Sequence, residues 1–593
     1  MTLEIGFVLL MVAIMLGGLI FEVARPDMIM FVVLTTFLLT GILTPEEALK
    51  GFSNQGMLTI ALLFIIAGAI QKSGIIDLAL ARRLKNSNSI PKTMLRIFLP
   101  VSGLSAFLNN TPTVVMLTPV LRKWCEENQI SPSKFLIPLS YATILGGTIT
   151  LMGTSTNLVV HGLMLENGMK GFSLFELGIV GIPITVVGLF YIITIGYRLL
   201  PNHKGMKETV QEHSREYLAE MTVGPDFSYL NQSVQDAKLR QLKGLYLIEI
   251  IRGNEKISPV KATTIIRNGD RLIFTGLIST IAELQKIKGL TLETGTYLSL
   301  DSLKNGNTQL VEAVVSHQSS LLYKTIKEVR FRSKYDAGVI AVHRDRERIK
   351  SKIGEITLKP GDTLLLLCGS DFIDKYKQSN DFYVVTPLDT PLELQENPKK
   401  GWIAISILIL MIFFVTIGIF SMFEAMSLAV VLLLFARVIT PEEAKQSVQF
   451  NVLLLIASSF GIGTAIMKTG AAEWIANGLI RIAEPFGLIS ILFFVYLITN
   501  IFTELITNNA AAVMMFPIAM EVANKMSIDP TGIAVLITIA ASASFITPIG
   551  YQTNLIVYGP GGYKFSDYIK VGTPLSIIVM IVTIWLIYLF WIS

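Results

Sequence analysis

The chain has 593 residues, of which 52% are hydrophobic and only 16% charged, with a mean hydropathy of +0.59. That charge content, well below the roughly one quarter of ordinary soluble proteins, excludes a conventional soluble globule and points to a bilayer as the main solvent. A net charge of +5 gives no basis for a nucleic-acid partner, and two cysteines, Cys125 and Cys368, exclude a disulfide framework or a cysteine metal cluster.

Charge is unevenly placed. Residues 201–400 hold 29 of the 49 Lys and Arg and 25 of the 44 Asp and Glu. The expected organisation is therefore a first membrane unit (1–200), a water-soluble insert in two parts (201–300 and 301–400) and a second membrane unit (401–593).

In chain order, runs long enough to cross a bilayer fall near 3–21, 27–43 and 56–71. The first lacks a basic leader and a cleavage site and is expected to be a retained span. Residues 94–122 are apolar but carry Asn109-Asn110-Thr111 directly before Pro112. A straight helix would leave those amides in lipid, so a re-entrant helix-turn-helix hairpin is expected. Asn and Thr suit a helix cap and Pro the first helical turn. The second hairpin helix would thus open at mid-membrane with free N–H groups, a site for an anion. The amide and hydroxyl oxygens there suit a hard cation such as sodium.

The stretch 134–163 carries Gly153-Thr154-Ser155-Thr156-Asn157 in mid-span, poor helix material that predicts a broken helix lining a cavity. A further span is expected at 176–199.

After the insert the series returns near 402–420, 422–438 and 452–468, with an apolar stretch at 485–519 containing Asn508-Asn509. A second break, Gly550 to Asn554, lies within 530–558, and a last span at 573–591. Leu43 to Ala48 (LTPEEA) recurs as Ile439 to Ala444 (ITPEEA), and Gly74 matches Gly470. On this reading Asn109-Asn110-Thr111 answers to Asn508-Asn509-Ala510, and Gly153 to Asn157 answers to Gly550 to Asn554. Each half has five crossings, an odd number, so the fold expected is a polytopic α-helical membrane protein of two inverted-topology repeats, each with one hairpin and one broken helix. Arg25, Arg82, Arg83, Lys85, Lys92, Arg122, Lys123 and Lys134 then fall on one side. Positive-inside makes that side, and the insert, cytoplasmic, with both termini outside the cell membrane.

The twin tips and breaks resemble those of the divalent anion/sodium symporter family within the ion transporter superfamily, whose tips usually read Ser-Asn-Thr. The resemblance implies substrate contacts at Asn109, Asn110, Thr111, Asn508, Asn509, Thr154 and Thr553. It implies sodium contacts at Asn110, Gly153, Asn157, Asn509, Gly550 and Asn554. It further implies an elevator-type homodimer in the lipid bilayer, coupled to sodium and carrying a small divalent anion. Glu504 is a further candidate by location, and His161 is read as a structural residue rather than a proton relay.

Within the insert, Leu247 to Arg252 precedes a Gly269-Asp270 turn, and Val339 to Arg344 precedes a Gly361-Asp362 turn. This duplicated strand pattern resembles TrkA C-terminal domains and implies a small α/β unit that dimerises and binds a nucleotide or other small ligand. Arg252, His343 and Arg344 are the residues placed to face such a ligand.

The function expected is sodium-coupled symport of a divalent oxyanion, with sulfate ahead of a dicarboxylate. A transport-deficient nutrient sensor is the alternative, followed by a ligand-gated ion channel. No nucleophile with a base, and no phosphate loop, suggests an enzyme.

Overall fold

The computed structural model describes residues 2–21, 23–73, 90–203, 218–239, 245–253, 255–257, 260–276, 287–292, 308–317, 319–344, 347–349, 353–369, 371–376, 379, 381–387 and 398–592. Gly74, Arg82, Arg83 and Lys85, used in the sequence reading, lie outside them.

The chain is a polytopic helical membrane protein with a β-sheet insert. Among the described residues seven helices are long and apolar enough to span: Leu3–Ile20, Pro45–Lys72, Gly178–Leu199, Lys399–Thr416, Phe450–Lys468, Leu488–Leu505 and Phe565–Ile592. Pro26–Leu39, Met422–Phe435 and Pro530–Ser542 are shorter apolar helices. Their outward faces are apolar: Phe190 is 68%, Trp585 61% and Ile581 60% exposed, which suits lipid and not water.

The repeated LTPEEA and ITPEEA segments have one structural job each, done twice. Thr44 and Thr440 cap short helices, Pro45–Leu49 and Pro441–Ser447, in capping boxes closed by Glu47 and Glu443. Each glutamate also takes a lysine from the other half of the chain: Lys468 Nζ lies 2.7 Å from Glu47 Oε2, and Lys72 pairs with Glu443.

Both Asn-bearing stretches are helix-turn-helix hairpins. The first comprises Ile90–Ser105 and Asn110–Glu127, the second Leu488–Leu505 and Asn508–Met526. Both expected breaks are present as well. Helix Leu136–Gly147 stops and resumes as Ser155–Glu166, and Pro530–Ser542 stops and resumes as Gln552–Tyr558. The sequence reading had no place for an amphipathic helix at Ala471–Ala483, which packs against the second hairpin.

The insert is two five-stranded antiparallel sheets. Strands β1 (Leu218–Val223), β2 (Leu245–Arg252), β3 (Glu255–Ile257), β4 (Arg271–Gly276) and β5 (Leu290–Leu292) take the order β3-β2-β4-β1-β5. Strands β6 (Thr308–Val315), β7 (Ala337–Arg344), β8 (Glu347–Arg348), β9 (Thr363–Gly369) and β10 (Phe382–Pro387) take the same order read from the other edge, β10-β6-β9-β7-β8. The register agrees too: Thr222 faces Arg271 in the first sheet as Val314 faces Thr363 in the second. Among the described residues of the insert, helix is limited to Phe331–Tyr335, Phe372–Tyr376 and a 3-10 turn at Ile353–Glu355.

Candidate functional site

At the first tip, the helix starts at Asn110 with Asn109 as its cap, and at the second it starts at Asn508 with Thr507 as its cap. Asn110 and Asn508 are held alike through Oδ1. Ser105 Oγ donates to Asn110 Oδ1 and shares its bond with the Thr143 carbonyl, while Thr503 Oγ1 donates to Asn508 Oδ1 at 2.9 Å and to the Ala541 carbonyl. This corrects the register read from the sequence by one residue. Asn110 answers to Asn508, Thr111 to Asn509 and Asn109 to Thr507, so Ala510 is not the partner of Thr111.

The breaks are held in matched fashion. Asn157 Nδ2 donates to the carbonyls of Gly147 (3.0 Å) and Thr150 (2.7 Å). Asn554 Nδ2 donates to those of Ser544 (3.1 Å) and Thr547 (3.0 Å). Each asparagine thereby binds carbonyls that the interrupted helix leaves without their usual partners. Thr150 and Thr547 tie each break to a tip by donating to the carbonyls of Ala106 and Glu504. Glu504 lies at this joint: its carboxylate accepts from the amides of Ile546 and Thr547, both at 2.8 Å.

The two sets then cross. Tyr551, at the second break, receives Asn110 Nδ2 at 2.7 Å and lies 2.8 Å from Thr154 Oγ1, joining the first tip to the first break. Thr111 Oγ1 donates to Gln552 Oε1 at 3.1 Å. Reciprocally, Asn509 Oδ1 accepts from Ser155 Oγ and Thr156 Oγ1, both at 3.2 Å. Each tip thus hydrogen-bonds the opening turn of the broken helix from the other half. Thr553 Oγ1 and Asn554 Oδ1 both accept from Ser140 Oγ.

The candidate residues are therefore brought together in one buried cluster. Asn109 takes a capping place, its Oδ1 accepting from the Thr111 amide. Gly153 and Gly550 allow the breaks to pack: a Cβ on Gly153 would overlap the Gly147 backbone, and one on Gly550 would overlap Ser544 Oγ. Among the described residues, Asn157 Oδ1 is a buried acceptor of the cluster without a protein donor. Asn554 Oδ1, by contrast, is satisfied by Ser140. The meeting side chains Asn110, Thr111, Thr154, Asn509, Tyr551 and Gln552 are all uncharged, so the cluster offers hydrogen bonds and the N-termini of two hairpin helices to an anion. Tyr551, Gln552, Ser105, Thr503 and Ser140 were missed. Tyr551 and Gln552 stand inside the Gly550–Asn554 motif, whose Gly550, Thr553 and Asn554 are the positions the sequence points to.

Residues placed elsewhere have other duties. His161 Nδ1 accepts from the Phe172 amide, a loop-holding bond. In the insert, Arg252 grips Asp270 through Nε and Nη2, both at 2.8 Å, and donates to the Ile265 carbonyl. Arg344 grips Asp362 at 2.7 Å twice and donates to the Thr357 carbonyl. These bidentate pairs close the two Gly-Asp turns. Burial raises the Asp362 carboxyl above its ordinary range, with Arg344 opposing. His343 is half-buried beside Thr363 across the β7–β9 ladder.

Residues 11–540 match a family model described as citrate transporter. The chain is 34% identical over 570 residues to a putative sulfur deprivation response regulator of Chlamydomonas reinhardtii, covering 95% of this chain and 97% of that protein. It is 29% identical to an uncharacterized transporter of Escherichia coli, covering 94% and 95%, and 25% identical to sodium/sulfate cotransporter 1 of Chlamydomonas reinhardtii, covering 94% and 86%. The likeness to anion symporters read from the twin motifs is met at this level, and the chain, a transporter-family protein and not an enzyme, belongs to the citrate transporter family (CitMHS).

Proposed function

We propose that the protein is a sodium-coupled secondary active symporter of a divalent oxyanion, sulfate first and a dicarboxylate second, with its substrate held between the two hairpin tips. The observation that carries this reading is the crossed cluster, in which Asn110 and Thr111 meet Tyr551 and Gln552 while Asn509 meets Ser155 and Thr156. A dianion there is met by neutral donors and helix N-termini, so its charge is balanced by co-transported cations. Asn157 Oδ1, buried without a donor among break carbonyls, suits sodium as co-substrate, since hard cations take carbonyl oxygens. Asn110, Gly153, Asn509, Gly550 and Asn554 are the other residues offered to it. Asn109, Asn508, Thr154 and Thr553 complete the proposed anion set.

Sulfate is favoured because three relatives are named for sodium/sulfate cotransport; the citrate description of the family keeps carboxylates in play. The matched hydrogen bonds and the exchanged Lys–Glu pairs support two repeats; their inverted topology, an elevator mechanism and a homodimer in the cell membrane are what the resemblance to the anion symporters adds. The common strand order of the sheets supports two TrkA C-terminal-like domains, cytoplasmic and regulatory, with a nucleotide or other small ligand near Arg252, His343 and Arg344. A transport-deficient sensor is the second reading, favoured by the relative named as a putative sulfur deprivation response regulator.

Radiolabelled sulfate uptake into proteoliposomes under an inward sodium gradient, with a potassium gradient as control and unlabelled succinate and citrate as competitors, tests the proposal. Sodium-dependent uptake resisting both carboxylates establishes sulfate symport. Succinate or citrate uptake changes the substrate, and silence for every anion favours the sensor.

A further inference from the structure

We propose that His317, carried by the insert, is a positioning residue of the transport site. The inference rests on reading the tip cluster as the anion site. His317 follows β6 and its Nε2 lies 2.7 Å from Gln552 Nε2. Gln552 Oε1 is already the acceptor for Thr111 Oγ1. With the amide nitrogen of Gln552 toward the ring as donor, His317 Nε2 is assigned as the acceptor and the imidazole proton is assigned to Nδ1, which bonds the Tyr383 hydroxyl. The relay Tyr383, His317, Gln552, Thr111 therefore runs from a soluble sheet to a hairpin tip and fixes which end of the Gln552 amide faces that tip. Burial holds the His317 ring well below its ordinary value, down to about 4, with Arg25 adding to the depression, so the ring is neutral and able to accept.

The second sheet is built for this contact and the first is not. In the common register Glu220 of β1 and Glu312 of β6 occupy matching places, both buried. Glu220 pairs with Arg271 of its own sheet. At the place of Arg271 the second sheet has Thr363, and Glu312 pairs instead with Arg122 of the first hairpin. Thr363 lies so close to Gly559 that a Cβ there would overlap its hydroxyl, and a Cβ on Gly361 would stand 2.5 Å from Leu555. The place of His317 is taken in the first sheet by Pro225, which has no side-chain acceptor. Duplicated sheets have thus diverged, and the side chains peculiar to the second one meet the transport helices.

The test uses the full chain, purified and reconstituted, with His317→Phe, which keeps the ring stack on Tyr383 but has no acceptor, and His317→Gln, whose Oε1 falls near the place of Nε2. Anion KM and Vmax are measured at saturating sodium. In parallel, the maleimide labelling rate of a Thr111→Cys reporter is followed, the native Cys125 and Cys368 both being buried. Loss of one part-buried hydrogen bond predicts KM about five- to tenfold higher in His317→Phe with Vmax little changed. Labelling should accelerate as Gln552 swings off the tip, and His317→Gln should restore both. Unchanged KM and labelling in His317→Phe, a fall in Vmax alone, or equal impairment in His317→Gln would overturn the inference. If the parental protein carries no anion the functional reading fails, and the labelling rates still decide whether His317 positions the tip.

Discussion

Arg122, on the first hairpin, and Glu312, on β6 of the insert, form an ion pair whose side chains are only 3% and 1% exposed. Arg122 also holds Glu126 one turn along, at 3.0 Å. Two charges withdrawn from water are tolerated only as a pair: removing Arg122 strands Glu312, and removing Glu312 leaves the buried Arg122 with only the exposed Glu126. Arg122→Met or Glu312→Leu alone should each cost about 3–5 kcal/mol of local stability, read as a lowered melting temperature in detergent. The double variant should recover most of the loss, because an apolar contact of similar size replaces the pair. Additive losses in the double variant would show that the two side chains do not share their energy.

Tyr551 supplies the hydroxyl that joins Asn110 to Thr154. Tyr551→Phe keeps the ring and leaves both partners short of a bond in a buried place, a penalty of about 1–3 kcal/mol for each unsatisfied group. Anion KM should rise at least about tenfold, while the protein still elutes as a folded species in gel filtration. Asn508→Ala should damage uptake through loss of the Thr503 bond, and Asn110→Ala more, since it loses the matching Ser105 bond and the bond to Tyr551 as well. Uptake kinetics of Tyr551→Phe indistinguishable from the parental protein would remove Tyr551 from the site.

Much of this was legible in the sequence because the bilayer simplifies the physics: an apolar run must be helical, and a polar break within one must be covered by protein. Asn109 to Pro112 and Gly153 to Asn157 announced a hairpin and a break, and both are there. The register of the second tip was not legible. Thr507-Asn508-Asn509 offers two asparagines in a row, and only the bond from Thr503 and the capping role of Thr507 decide which matches Asn110. His317 and Glu312 were invisible for another reason. Their partners, Gln552 and Arg122, lie 235 and 190 residues away in the chain, and a lone histidine or glutamate in a polar insert carries no local pattern.

Close helix packing around the site makes a paired prediction on neighbouring positions. A Cβ on Gly146 would overlap the backbone of Ser102, whereas a Cβ on Gly103 meets nothing within 4 Å. Backbone cannot move aside as a flexible side chain can, so Gly146→Ala should cost about 1–3 kcal/mol or more and reduce the yield of folded protein. Gly103→Ala should be neutral by the same melting assay. Equal tolerance at both positions would mean that helices Ile90–Ser105 and Leu136–Gly147 are not seated on one another as described.

Asn157 and Asn554 hold their breaks identically through Nδ2 but differ at Oδ1, and that difference separates two roles. Asn554 Oδ1 accepts from Ser140 Oγ at 2.7 Å, while Asn157 Oδ1 is buried without a protein donor. A carbonyl oxygen left over in this way is available to a cation, and one already bonded to a hydroxyl is less so. Asn157→Asp keeps an acceptor at that place and loses the Nδ2 bonds to Gly147 and Thr150, whereas Asn157→Ala loses both. If Oδ1 holds sodium, the alanine variant should raise the sodium concentration for half-maximal uptake about tenfold, equivalent to one good contact, and the aspartate variant should raise it less. Asn554→Ala should depress the maximal rate and stability with a smaller change in sodium dependence, since what it loses is the Nδ2 bonds that hold the break and the bond from Ser140. Sodium titrations of uptake for the three variants, at fixed anion, check this, and equal shifts at Asn157 and Asn554 would rule out the asymmetry.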